Sequence, residues 1–195
     1  MKESFLNHTM SFITNNQDNI TEEEKERLAY GLEGIYLNVT KLLILNLLAF
    51  VLGIWVTFII SLILFNILRF FGFGVHANNS KSCFISSSLI IVGIPLFLTK
   101  VMLSNYIVII LCLCSIFLFI IYAPADTVKR PLTNRKKRII RKIAASILAL
   151  VYSLIIILIP NLRLYFLSAL LIETIMILPI TYKLLGVPYN NYKKV

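Results

Sequence analysis

A chain of 195 residues that is 58% hydrophobic and 14% charged, with a mean hydropathy of +0.86, is not a water-soluble domain. Soluble domains carry about 25% charged residues, and a fold of this length has no room to hide so much apolar surface. The net charge of +10 comes from 19 Lys and Arg against 9 Asp and Glu, gathered between long uncharged runs.

Residues 1–41 hold most of the acidic side chains: Glu3, Asp18, Glu22, Glu23, Glu24, Glu26 and Glu33. They contain no compact apolar core behind a basic start, so the first span is expected to act as its own insertion signal. Thr21 followed by Glu24 reads as a capping box that starts a helix near Glu22. Leu28, Leu32, Ile35, Tyr36 and Val39 then recur at helical spacing, which predicts an amphipathic helix leading into the first span.

Five apolar runs follow, at 42–68, 82–99, 101–125, 143–162 and 164–182. Crossing the hydrocarbon core takes about 20 such residues. The run at 82–99 is the shortest, and the run at 42–68 is long enough to cross with tilt. Cys112 and Cys114 lie mid-run, where cysteine behaves as a small hydrophobe. With Cys83 they make no disulfide framework. Glu173 interrupts the last run. An intramembrane acid is a functional candidate because exposing it to lipid is costly, but burial against a neighbouring helix is the expectation here.

Between the first two runs lies a polar segment, 69–83, with Arg69 at its start and Gly72 and Gly74 placing a turn. Ser80 is positioned to cap the helix after it, which puts Cys83 in that helix's first turn. Unpaired amides and the positive dipole end favour thiolate there, and Lys81 adds a nearby positive charge. His76 is the single other histidine besides His8. A thiol becomes a useful nucleophile when a base or a lowered pKa ionises it, so His76 and Cys83 have the chemistry of a base and a nucleophile. Residue type and spacing leave open that they are an interfacial imidazole and an inert thiol. Geometry sets a condition: on one continuous helix the two would stand about 10 Å apart along the axis, too far for proton transfer. The pair requires the chain from His76 to about Asn79 to fold back as a loop, which Asn78 and Asn79 favour. No second His/Cys pair completes a zinc site, and no cofactor is expected.

Residues 124–142 carry Lys129, Arg130, Arg135, Lys136, Lys137, Arg138, Arg141 and Lys142 with Asp126 alone opposing. Such a loop fixes topology and binds anionic lipid at the cytoplasmic face; no nucleic-acid partner is expected. Counting one crossing per run puts thirteen of the nineteen Lys and Arg on the side of 69–83, which is therefore expected to face the cytoplasm. The same count puts the N-terminus outside, at odds with its acidic, export-signal-free character; a non-spanning first run or an unassigned re-entrant one would put it back inside. The expected fold is all-α, a polytopic integral membrane helical bundle with an N-terminal amphipathic helix, forming one domain over 1–195.

The elements Arg69-(x)4-Gly74-Val-His76-(x)6-Cys83, Tyr122-Ala-Pro-Ala-Asp126-Thr-Val-Lys129-Arg130-Pro-Leu with its basic cluster, and Tyr30-Gly-Leu-Glu33 together resemble the AgrB family of membrane peptidases from Gram-positive quorum-sensing systems. The likeness runs in order along essentially the whole chain. One departure is Phe73, where the family often has a second glycine beside Gly74. The resemblance implies a cysteine endopeptidase of the cell membrane with its active site facing the cytoplasm. It would cut an AgrD-like precursor peptide, with Cys83 as nucleophile and His76 as base. A thioester acyl-enzyme would be resolved by a thiol of the peptide itself to close a thiolactone ring. Gly74 carries over for the turn and Arg69 for a substrate carbonyl or an internal carboxylate. Asp126 and Glu33 are candidates to orient His76, and Lys129, Arg130 and their neighbours are candidates to attract the precursor's acidic end. The oligomeric state, a homodimer included, is left open. The competing class is a non-enzymatic membrane transporter or scaffold, in which 69–83 is a connecting loop.

Overall fold

The computed structural model of the chain describes residues 2–15, 21–75, 80–127 and 131–193, and for 80–83 and 193 the backbone alone. Among these the regular elements are helical, apart from a parallel β-bridge between Phe73 and Ala125. The chain packs as two compact units, Met1–Leu47 and Leu48–Val195.

In the first unit, α1 (Lys2–Asn15) lies against α2 (Glu22–Val51) through the Phe5 and Tyr36 rings, 5.3 Å between centroids, and through an ion pair of Lys2 with Glu33. The capping box forms as expected. The Thr21 amide donates to Glu24 Oε2 at 2.9 Å, and the Glu24 amide donates to Thr21 Oγ1 at 3.3 Å. The Thr21 amide and hydroxyl hold the Glu24 carboxyl below the usual carboxylate range. The amphipathic stretch and the start of the first apolar run form one 30-residue helix.

That run does not continue as a single helix. The 42–68 stretch breaks at Leu52-Gly53, where Gly53 takes a φ of +71°, and α3 (Trp55–Gly72) sets off as a separate helix. Glycine enters this left-handed region at no steric cost; the segment carries no charge that could have marked the turn. The 82–99 run is also subdivided. It comprises α4 (Ser80–Ser87), one π-helical turn at Ser88–Val92, and α5 (Gly93–Lys100). Pro95 explains the widening: it lacks an amide to donate to the carbonyl four residues earlier, and its ring crowds that carbonyl. The remaining elements are α6 (Asn105–Tyr122), capped by Ser104; α7 (Arg135–Leu158), capped by Asn134; α8 (Arg163–Ile177), joined to α7 by a 3₁₀ turn at Pro160–Leu162; and α9 (Pro179–Leu184).

Five of these helices are long and apolar enough to cross a membrane: Glu22–Val51, Trp55–Gly72, Asn105–Tyr122, Arg135–Leu158 and Pro160–Ile177. The shorter Phe84–Lys100 segment is a sixth apolar stretch. Half of the Pro160–Ile177 window is buried, against 22% to 28% for α3, α6 and α7, so α8 is the central helix of the second unit. It packs on α3, α5, α6 and α7. Close approach relies on small residues, Ala145, Ala149 and Ser153 in one row on α7 and Ser168 and Ala169 on α8, all buried. Membrane helices associate through such positions because lipid offers no hydrophobic penalty to escape. Three hydroxyls inside the bundle are satisfied along their own helices, Ser153 to Ala149 O, Ser168 to Leu164 O and Thr174 to Leu170 O. The outward faces of α3, α6 and α7 expose Ile63, Ile67, Ile110, Leu113, Phe117, Ile147 and Leu154, suited to acyl chains. The chain is a multi-pass membrane protein.

Candidate functional site

α3 ends at Gly72 because the chain turns sharply there. Phe73 has a φ of 63° and Gly74 a φ of +112°. Gly74 is needed for space as well as for conformation: a Cβ there would stand 2.8 Å from Arg69 Nη1 and 3.2 Å from the Met176 Cβ and carbonyl oxygen. At Gly72 a Cβ would meet Glu173 Oε1 at 2.7 Å. The two glycines that mark a turn in the sequence thus also admit the side chains of Arg69 and Glu173.

After the turn, Phe73–Val75 is fastened on two sides. The Gly74 amide donates to the Ala125 carbonyl and the Ala125 amide to the Gly72 carbonyl, both at 2.9 Å. The Val75 amide donates to the Met176 carbonyl on α8, also at 2.9 Å. Arg69 closes the arrangement. Its Nη2 donates to the Val75 carbonyl at 2.7 Å and the Gly74 carbonyl at 3.3 Å, and its Nη1 lies 3.5 Å from Glu173 Oε2. The internal carboxylate that Arg69 reaches is therefore Glu173, which is fully buried. Arg141 of α7 donates to the Phe70 carbonyl at 2.6 Å and stacks over the Phe73 ring, 4.5 Å from its centroid.

The Ala-Pro-Ala-Asp element is the other half of the fastening. Pro124 follows a cis peptide bond. The Tyr182 hydroxyl donates to the Ala125 carbonyl at 2.8 Å. Asp126 is buried, and its carboxylate accepts from three backbone amides: Asn191 at 3.2 Å, Tyr192 at 2.7 Å and Leu132 at 3.3 Å. Asn191 Nδ2 returns a bond to the Asp126 carbonyl at 3.3 Å. A carboxylate with three amide donors is strongly satisfied, so Asp126 ties the C-terminal turn to the 123–127 segment. Tyr189 packs beside it, and burial pushes its hydroxyl up to about 12, which keeps the phenol neutral. Arg138 stacks on Tyr192 with its guanidinium carbon 3.2 Å from the ring centroid.

Arg69, Gly74 and Asp126 are thus brought into one hydrogen-bonded neighbourhood, with Gly74 bonded to the residue before Asp126. Glu33 belongs to the first unit, where it pairs with Lys2. The helix beginning at Ser80 puts the backbone of Cys83 in the first turn of α4, as expected. His76, Lys129 and Arg130 lie outside the described residues, and so do the side chains of Lys81 and Cys83. The basic cluster divides by role. Arg138 and Arg141 are half-buried and brace aromatic rings, while Arg135, Lys136 and Lys137 are exposed. Residue-type reasoning did not single out Tyr182, Asn191 or the Met176 carbonyl. They act through backbone groups and long-range bonds that leave no spacing signature.

The profile of the accessory gene regulator B family, AgrB, matches residues 6–180. The chain belongs to the AgrB family. An AgrB-like protein of Clostridium acetobutylicum is 37% identical over 175 residues, covering 85% of this chain and 80% of its own length. One from Listeria monocytogenes is 32% identical over 196 residues, covering 97% and 95%. The accessory gene regulator protein B of Staphylococcus aureus is 28% identical over 138 residues, covering 69% and 74%. No solved structure matches the chain significantly. Family membership places the chain in agr quorum sensing.

Proposed function

We propose that this AgrB-family chain is a membrane-embedded cysteine endopeptidase that cleaves an AgrD-type precursor and enables its cyclisation. The observation that carries the reading is the bracing of Gly74 and Val75 directly before His76, combined with a helix that starts at Ser80 and holds Cys83 in its first turn. The reading requires the imidazole and the sulfur to meet between these two anchored segments.

In the proposed reaction His76 takes the Cys83 thiol proton, and the thiolate attacks the scissile carbonyl. The tetrahedral adduct collapses, expelling the amine of the C-terminal fragment, which receives that proton from the imidazolium. The N-terminal fragment remains as a Cys83 thioester. A cysteine thiol within it loses its proton to His76 and attacks the thioester carbonyl, closing a thiolactone and releasing Cys83. Water must be kept from the thioester during this exchange. From Ser80 to Lys100 the helical segment rises about 30 Å, matching a hydrocarbon core of about 30 Å, so a crossing by this segment puts its first turn at the membrane boundary.

The site is assigned to the cytoplasmic face. With α2, α3, Phe84–Lys100, α6, α7 and α8 each crossing once, both chain ends lie on the side of residues 73–83. Lys100 and Arg163 are then the two of nineteen Lys and Arg outside, as the positive-inside rule requires. The split of 42–68 supports an N-terminus on that same side. Lys81, Lys129, Arg130 and the exposed Arg135, Lys136 and Lys137 serve to hold anionic lipid and the acidic end of the precursor.

Co-expression with an AgrD-type precursor tests the reading. Cys83→Ala and His76→Ala are each expected to abolish cleavage while the protein still accumulates in membranes. Normal processing by Cys83→Ala would favour the transporter or scaffold reading instead.

A further inference from the structure

The buried acid on α8 is not used by the proposed chemistry, yet it sits two contacts from the imidazole's own peptide bond. We propose that Glu173 is a positioning residue for His76, acting through Arg69; this rests on the peptidase reading above. The Val75 carbonyl belongs to the same planar peptide unit as the His76 amide. Whatever fixes that carbonyl fixes the plane in which the chain leaves toward the imidazole. Arg69 Nη2 donates to it at 2.7 Å and to the preceding Gly74 carbonyl at 3.3 Å.

The guanidinium is held at that post by Glu173. Its side chain is 15% exposed, and the single carboxylate beside it among the described residues is Glu173, itself 0% exposed. Glu173 has no competing duty there, since Oε1 has no hydrogen-bond partner among the described residues and Oε2 faces Arg69. Gly72 leaves the space into which Oε1 fits. Removing the acceptor would leave a largely buried guanidinium without its side-chain partner. Arg69 would turn toward solvent and the two carbonyls would lose their donor. Met176, three residues further along α8, receives the Val75 amide. One helix therefore holds both faces of the residue before His76, directly through Met176 and by way of Arg69 through Glu173. Arg69 and Glu173 lie 104 positions apart in the chain, so the last span reports its position to the 69–83 segment.

The test reads Cys83 itself and needs no precursor. In membranes carrying the full chain with Cys112→Ser and Cys114→Ser, the rate of Cys83 alkylation by iodoacetamide at neutral pH measures thiolate supply. His76→Ala is expected to slow it about tenfold. Glu173→Leu is expected to slow it several-fold, and to add nothing in the His76→Ala background, because residues acting in series are non-additive. Glu173→Gln, whose amide oxygen still accepts from Arg69, is expected to keep most of the rate. The double variant Arg69→Met, Glu173→Met leaves no orphan charge and is expected to accumulate normally with the slow rate. An unchanged rate in Glu173→Leu, an additive loss in the His76→Ala background, or recovery in the Met/Met variant would each overturn the positioning role. An unchanged rate in His76→Ala would overturn the peptidase reading, and the positioning role with it.

Discussion

Phe73 and Gly74 show how much a single backbone angle decides. Phe73 stands at φ 63° and ψ −121°, a region that glycine occupies freely and other residues enter at about 1–3 kcal/mol. The departure from the family's frequent glycine at this position therefore has a cost. Its compensation is the ring, over which Arg141 stacks. Phe73→Gly is expected to relieve the backbone while losing the stack, leaving thermal unfolding in detergent within about 1 kcal/mol of the parent. Phe73→Val, β-branched at the same angle, is expected to be the less stable of the two. If Val proves as stable as Gly, backbone strain is not what matters at this position. At Gly74 the conformational and steric demands coincide. Gly74→Ala is expected to push Arg69 off the Gly74 and Val75 carbonyls and to lower precursor cleavage more than protein accumulation, measured by immunoblot of both.

Among the elements, the tie between Asp126 and the C-terminal turn is the most consequential connection that the sequence does not advertise. It joins residues 65 apart through backbone amides, and amides are the same in every residue. Asp126→Ala strands three buried or half-buried N–H groups and is expected to destabilise the chain by about 1–3 kcal/mol. Asp126→Asn, which keeps one accepting oxygen, is expected to cost less. Limited proteolysis at residues 187–193 together with thermal unfolding checks this; equal resistance in Asp126→Ala and parent would contradict it. Other elements were readable for local reasons. The Thr21–Glu24 box begins α2 where the motif placed it, and Gly74 turns the chain where a glycine was required. Because Glu24 is held below its ordinary range, its contribution is present above the usual carboxylate pKa and disappears as pH falls through the lower folded value. Amide protection factors at the start of α2, relative to the unfolded chain at the same pH, should fall on that acid side and stay level between pH 6 and 8.

For the whole molecule, the all-helical membrane bundle was legible because uncharged runs have no other stable home. Their number of crossings was not. Residues 42–68 contain no charge, so nothing but Gly53 distinguishes one tilted span from two helices meeting at a turn. Thiol labelling in a chain without its native cysteines addresses the topology. Leu52→Cys and Met102→Cys should react with a membrane-impermeant maleimide on intact cells, and Thr133→Cys after the membrane is opened. Protection of Leu52→Cys on intact cells would restore the single crossing and return the N-terminus to the outside.

The most direct test of the account is mass spectrometry of the full-length protein recovered from cells making its precursor. A hydroxylamine-labile adduct of the precursor's N-terminal fragment should map to Cys83, be absent from Cys83→Ala and be lost from His76→Ala. Cyclic product formed by Cys83→Ala, or an adduct carried by Cys112 or Cys114, would contradict it.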